Sequence, residues 1–158
     1  MRIANWMAGG MLAMAAWTAH AGELRRFDAD SMQSLVAVQQ GKPFVLVLWS
    51  LDCAYCEQSL KTLADEQKRR KDLRVVTLST DSLDDPDVQA AMQAKLRRTG
   101  VKSVAWAFGS APPEQLRYAV DPKWHGEMPR SYWFTGEGAP KAYSGLISRE
   151  IIGRMRGK

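Results

Sequence analysis

Phe44-Val45-Leu46-Val47-Leu48-Trp49 runs through Ser50-Leu51-Asp52 into Cys53-Ala54-Tyr55-Cys56. The apolar run is preceded by Gly41-Lys42-Pro43, and a short apolar run behind such a breaker reads as a buried strand. From Cys53 to about Arg70 the period changes. Leu60, Leu63 and Ala64 share one side while Lys61, Glu66, Lys68 and Arg69 are polar, which predicts an amphipathic helix. A strand that delivers Cys-x-x-Cys to the first turn of a helix sets the leading sulfur among unpaired backbone N–H groups, where the helix dipole favours a thiolate. Dithiol redox chemistry requires that placement.

Cys53 and Cys56 are the only cysteines, and the chain has two histidines, His20 and His125. A structural zinc site takes four Cys or His ligands, and His20 lies in a segment expected to be removed, so the count argues against zinc. A purely structural disulfide is the plainer alternative, but two intervening residues close a tiny loop that removes little entropy from the unfolded chain.

The first residues read as an export signal. Arg2 supplies charge, Ile3 to Trp17 is mostly apolar, and Ala19-His20-Ala21 is an A-x-A cleavage site, giving a signal peptide over 1–21 and one domain over 22–158. An uncleaved anchor is the rival reading, but a spanning helix needs about 20 apolar residues. Export places the cysteines in the oxidising periplasm, where a reactive dithiol needs a partner to set its state. The formal charge of +5 is spread over Lys68-Arg69-Arg70-Lys71, Arg97-Arg98 and Arg149 to Lys158. No aromatic residues interleave with these clusters, so they read as solvated helix faces and not as a nucleic-acid surface.

Strands and helices alternate along the rest. Asp30 or Ser31 can cap a helix to about Gln40; Leu73 to Leu78 is a second strand; Asp84 or Asp85 with Pro86 opens a helix that Gly100 ends. Val101 to Phe108 contains a short strand, and Glu114 to Val120 is a short helix before the Asp121-Pro122 turn. Ser131 to Phe134 and Lys141 to Ser144 form a hairpin around Thr135 to Pro140, and Ser148 caps a last helix through Met155. The order reads βαβα followed by ββα.

A strand ending in Trp49, Cys-x-x-Cys opening a helix, a second βα unit, and an x-Pro before a hairpin and final helix resemble the thioredoxin fold over roughly Leu24 to Arg156. The export signal and Tyr118 to Phe134 are similar to the exported TlpA-like thiol–disulfide oxidoreductases. The resemblance implies an α/β domain with a central mixed sheet flanked by helices. It implies that Pro129, in Glu127-Met128-Pro129-Arg130, is cis and lies against the cysteines, and that Met128 offers backbone groups to an extended substrate peptide. It further implies protein substrates with disulfides or thiols, a membrane-bound electron donor, a monomer and no cofactor. Cytosolic thioredoxins carry a buried Asp at the place of Val47, and relatives that reduce cytochrome c precursors often carry a Glu at the place of Ser59. Both acids are missing here. Tyr55 matches the Cys-x-Tyr-Cys of periplasmic disulfide isomerases.

The asymmetry of the sulfurs sets the expected roles. Cys53, nearer solvent, attacks, and Cys56, one turn deeper, resolves the mixed disulfide. Substrate contact is expected from Met128, Pro129, Tyr55 and Trp49, with Trp49 also a candidate to pack beneath the site and Tyr55 a candidate for a merely solvated turn residue. Asp52 and Glu57 flank the pair. A carboxylate about 7 Å from the thiolate opposes it by roughly 0.6 to 2.4 kcal/mol, against about 0.3–1 kcal/mol from the helix terminus, so the direction of electron flow stays open, with reduction favoured by analogy. Glu57 is either a proton relay to Cys56 or an ordinary first-turn acid. Two alternatives from other classes remain: a copper-binding thioredoxin-fold protein using His125, and a peptide-binding module with an inert disulfide.

Overall fold

Phe44–Trp49 forms a strand, β2, whose six residues are all buried, because both faces of this strand are covered by helices. The computed structural model describes residues 23–136 and 138–157. The signal segment 1–21 with its cleavage site, and Glu137 in the hairpin connection, lie outside the described residues.

Around β2 the chain builds β1 (Leu24–Phe27), α1 (Ser31–Ala37), α2 (Ala54–Arg69), β3 (Val75–Ser82), α3 (Pro86–Thr99) and β4 (Ser103–Phe108). It continues with α4 (Pro113–Val120), β5 (Arg130–Phe134), β6 (Lys141–Ser144) and α5 (Arg149–Arg156). One six-stranded sheet results, in the order β1-β4-β3-β2-β5-β6. β1, β4, β3 and β2 are mutually parallel, and β5 and β6 run antiparallel to them. The sheet is mixed and flanked by helices, as the resemblance implies. No helix among the described residues is long and apolar enough to cross a membrane.

Alternation along β2 sends Val45, Val47 and Trp49 to one face, where they meet Cys56, Leu60 and Leu63 of α2, Met92 of α3 and Ile151, Ile152 and Met155 of α5. Leu46 and Leu48 face the other way, with Phe44, towards Leu35 of α1 and Leu116 of α4. Each such fully buried side chain contributes about 1.5–3 kcal/mol, so the strand that leads into the cysteine turn is firmly anchored on both faces.

Local signals account for most boundaries. Asp85 caps α3 by accepting from the Asp87 and Val88 amides at 2.8 and 3.3 Å, and Gly100 ends it with φ of 73°, a left-handed conformation that suits glycine. Ser148 caps α5 through the Ile151 amide at 3.2 Å. Four expectations are corrected. β1 is absent from the expected order. The α1 helix stops at Ala37, three residues early, where the chain turns through Gln40 at φ 55°. Neither Asp30 nor Ser31 caps it: Asp30 makes no side-chain cap, and the Ser31 hydroxyl accepts from the Asp28 amide instead. β3 begins at Val75 rather than Leu73 and continues to Ser82.

Candidate active site

β2 ends at Trp49, and the next three residues turn the chain so that Cys53 becomes the N-cap of α2, in the extended conformation usual for that position. Its Sγ accepts a hydrogen bond from the Cys56 amide at 3.2 Å. That N–H is one of the donors a helix start leaves unpaired, and it points at sulfur. Cys53 and Cys56 are joined as a disulfide with their Cα atoms 5.3 Å apart. Cys53 is half-buried and Cys56 has no exposed surface. The two sulfurs are thus unequal in access, Cys53 reachable from solvent and Cys56 enclosed.

The turn before Cys53 is held by two residues, Asp81 and Lys95, that sequence reasoning passed over. The Leu51 amide donates to Asp81 Oδ2 at 2.9 Å, and that same oxygen takes the Ser79 hydroxyl at 2.7 Å. The Leu51 carbonyl accepts from Lys95 Nζ of α3 at 2.7 Å. The Ser50 carbonyl accepts both Lys95 Nζ and the Cys53 amide, each at 3.4 Å. Lys95 is 7% exposed, with its ammonium 6.0 Å from the Trp49 ring centre. One signal was legible: Val88, Met92, Lys95 and Thr99 form a helical stripe, and a lysine on a core-facing stripe is out of pattern.

Glu57, in the first turn of α2, bonds Lys61 at 2.8 Å and Arg98 at 3.2 Å. The Lys61 contact first, and then Arg98, hold its carboxyl down at about 2, against 4.5 ordinarily. It is an ionised first-turn acid with two cations around it, and a carboxylate of such low basicity is poorly matched to taking a proton from Cys56. Its opposition to a Cys53 thiolate is offset by those same cations.

The register of β5 against β2 pairs Arg130 with Leu48, which brings the preceding Pro129 alongside the end of β2, at the same end of the sheet as the dithiol. The Met128–Pro129 bond is cis. Pro129 is buried and Met128 half-buried, its Sδ 3.9 Å from the Thr80 hydroxyl. Arg130 stitches this loop. It donates to Glu127 at 3.0 Å, Ser144 at 2.7 Å, Asp121 at 3.3 Å and the Tyr132 hydroxyl at 3.2 Å, and that hydroxyl donates to Asp121 at 2.9 Å. Burial pushes the Asp121 carboxyl up, but the Lys123 amide, Tyr132 and Arg130 together outweigh it and hold it below the usual carboxylate range.

Of the other expected substrate contacts, Tyr55 is 65% exposed between the cysteines. Trp49 is corrected: it has no exposed surface, and it packs in the core beneath the turn, where it cannot touch a substrate. His125 is exposed, and no group of three His, Cys, Asp or Glu side chains gathers to hold a metal among the described residues, so His125 is not brought to the sulfurs as a third copper ligand.

No protein-family model matches the chain, and no curated protein matches it. Solved structures do. A secreted disulfide oxidoreductase of Mycobacterium tuberculosis, homologous to DsbE of E. coli, superposes with a TM-score of 0.54 at 18% identity, covering 73% of this chain and 81% of that one. A thioredoxin-family thiol:disulfide interchange protein from Chlorobium tepidum gives 0.56 at 17% identity over 76% and 81%. A secreted thiol-disulfide isomerase from Corynebacterium glutamicum gives 0.56 at 14% over 77% and 72%. The chain has the thioredoxin-like fold. Within this thioredoxin-like domain Val47 lies wholly buried in the sheet between Thr77 and Ser131. Ser59 is equally buried, donating to the Tyr55 carbonyl at 3.0 Å and accepting from the Ile147 amide at 3.0 Å. Both places are thus uncharged, and the buried charge at the turn is the cation Lys95.

Proposed function

We propose that this chain is a periplasmic thiol–disulfide oxidoreductase of the TlpA-like type, acting as a monomer that reduces protein disulfides and is itself reduced by a membrane-bound donor. The observation that carries the reading is the asymmetric pair at the start of α2: Cys53 half-buried with a helix N–H on its sulfur, Cys56 enclosed behind it. In the reduced protein the Cys53 thiolate attacks one sulfur of a substrate disulfide, forming a mixed disulfide and expelling a substrate thiolate that takes a proton. The Cys56 thiol, losing its proton, attacks Cys53 Sγ. The second substrate thiolate leaves and is protonated, and the Cys53–Cys56 bond closes. The substrate gains two electrons and two protons, and the donor restores the dithiol. Met128, Pro129 and Tyr55 line the approach, with the Met128 backbone positioned to pair with an extended peptide.

Export through the segment 1–21, with the domain occupying 22–158, is supported by Ala19-His20-Ala21 and by the secreted proteins among the structural neighbours. The direction rests on the likeness to the exported reductases. The test is Cys56→Ser in the full chain. Without a resolving thiol, Cys53 should hold its clients as mixed disulfides that dithiothreitol releases. The wild-type pair, equilibrated against redox buffers, should have a potential near about −270 mV. A pair near about −120 mV would make the protein an oxidant, and one that neither exchanges nor traps would end the oxidoreductase reading.

A further inference from the structure

Lys95 is a buried ammonium whose hydrogen bonds go to two backbone carbonyls, those of Ser50 and Leu51. Among the described residues no carboxylate lies within ion-pair distance of its Nζ; Asp81 grips the far end of the Leu51 peptide instead. Burying a charge without a counter-charge is costly, and two carbonyl dipoles offset only part of that cost. In the oxidised site Lys95 thus has two carbonyl dipoles and, among the described residues, no counter-charge in ion-pair contact. The Ser50 carbonyl that accepts from Lys95 also accepts from the Cys53 amide, so the cation stands one peptide away from the attacking sulfur's own backbone.

We propose, building on the dithiol exchange above, that Lys95 is a positioning residue that sets the reactivity of Cys53: it fixes the Ser50–Leu51 turn from α3 and supplies the positive charge that a Cys53 thiolate balances. Reduction of the pair then takes two electrons and one proton, leaving Cys53 as thiolate and Cys56 as thiol. The thiolate is the counter-charge that the oxidised site lacks. The other charges around this turn are Asp52 within it, Asp81 from the end of β3, and Glu57 of α2 bound to Lys61 and Arg98. Glu57 and its two partners sum to a cation and Asp81 is held on amide and hydroxyl donors, so Lys95 is the buried member of the set and the one least screened by water.

The experiment compares the reduced full-length protein with Lys95→Met, which keeps the stem and removes charge and donors, and Lys95→Gln, which removes the charge and keeps an N–H donor. Thiol ionisation is followed by absorbance at 240 nm across pH, and the pair is equilibrated with glutathione, two molecules of which reduce one disulfide. Both variants should raise the Cys53 midpoint by about one pH unit and make the pair about tenfold harder to reduce. If either variant, shown folded by near-ultraviolet circular dichroism, titrates as the wild type does while only its melting temperature falls, Lys95 is a structural residue and the proposal fails. Should Lys95→Met not fold, Lys95→Gln decides alone. A wild type that titrates but never exchanges with glutathione would remove the oxidoreductase reading, and the titration would still decide the role of Lys95.

Discussion

Towards α1 and α4 the sheet presents Phe44, Leu46, Leu48, Val76, Leu78, Trp106 and Phe108, a packing of apolar and aromatic side chains in which Phe27 and Phe108 stack at 5.9 Å. Towards α2, α3 and α5 the same strands present Val45, Val47 and Trp49 interleaved with Thr77, Ser79, Ser103 and Ser131. The hydroxyls of this second face are paired: Thr77 with Ser103 at 3.2 Å, Ser79 with Asp81 at 2.7 Å, and Ser131 with the Trp133 indole at 3.0 Å. The dithiol, Ser59 and Lys95 all lie on the helices that cover it. Apart from the Tyr132 hydroxyl at its edge, the first face supplies cohesion that asks nothing of direction. The other holds polar atoms at fixed angles, and only such a face can orient a turn around a reactive sulfur.

That contrast breaks most readily on the apolar side. Leu46→Ala deletes a wholly buried side chain and should cost about 2–5 kcal/mol in urea unfolding, with the glutathione equilibrium of the folded protein unchanged. A shifted equilibrium would show that the two faces are coupled and do not divide cohesion from orientation. On the polar side, Ser59→Ala removes little volume but strands the Ile147 amide in the core, and should cost about 1–3 kcal/mol. A loss well above that of Leu46→Ala would overturn the assignment of cohesion to the other face.

The smallest effect belongs to Glu57. With its carboxyl held at about 2 in the folded protein and near 4.5 when unpaired, its stabilisation is present above about pH 4.5 and drains away as the pH falls towards 2. Glu57→Gln should therefore cost only about 0.2–1 kcal/mol at neutral pH, typical of partly exposed pairs, and should flatten the acid side of the stability profile. Because Glu57 remains ionised at every pH where the thiol titrates, the exchange profile should keep its shape above about pH 5. A displacement to lower pH is what loss of one negative charge gives by itself, whereas a slower exchange at every pH would restore Glu57 as a proton relay.

Legibility of the elements followed how local their causes were. The β2 strand and the start of α2 were readable because apolar run, turn and helical period all change within a dozen residues of one another. β1 was not: Leu24–Phe27 has apolar ends around two exposed arginines, a pattern with neither period, and it is a strand because β4 offers it a parallel edge. The polar residues of β3 hid its second half, which persists because β4 pairs along it as far as Phe108 and because the buried Thr77 and Ser79 hydroxyls find partners. The Trp49 side chain could not be placed from the strand alone, since whether a strand-end aromatic meets solvent depends on which helices close over it.

What the sequence determined by itself was the setting of the dithiol: Cys53 opens a helix and Cys56 lies one turn behind it. That follows from spacing and period, which act over one or two turns of chain, whereas the proline loop was placed by the family resemblance. The tertiary structure alone decided what surrounds the leading sulfur. Asp81 and Lys95 lie 30 and 44 residues from Leu51, and Arg98 lies 41 residues from Glu57. No local rule reaches that far. Parallel strands joined by helices bring such residues to one end of the sheet, and it is their meeting there, with Lys95 buried, that turns ordinary surface residue types into the groups around the turn.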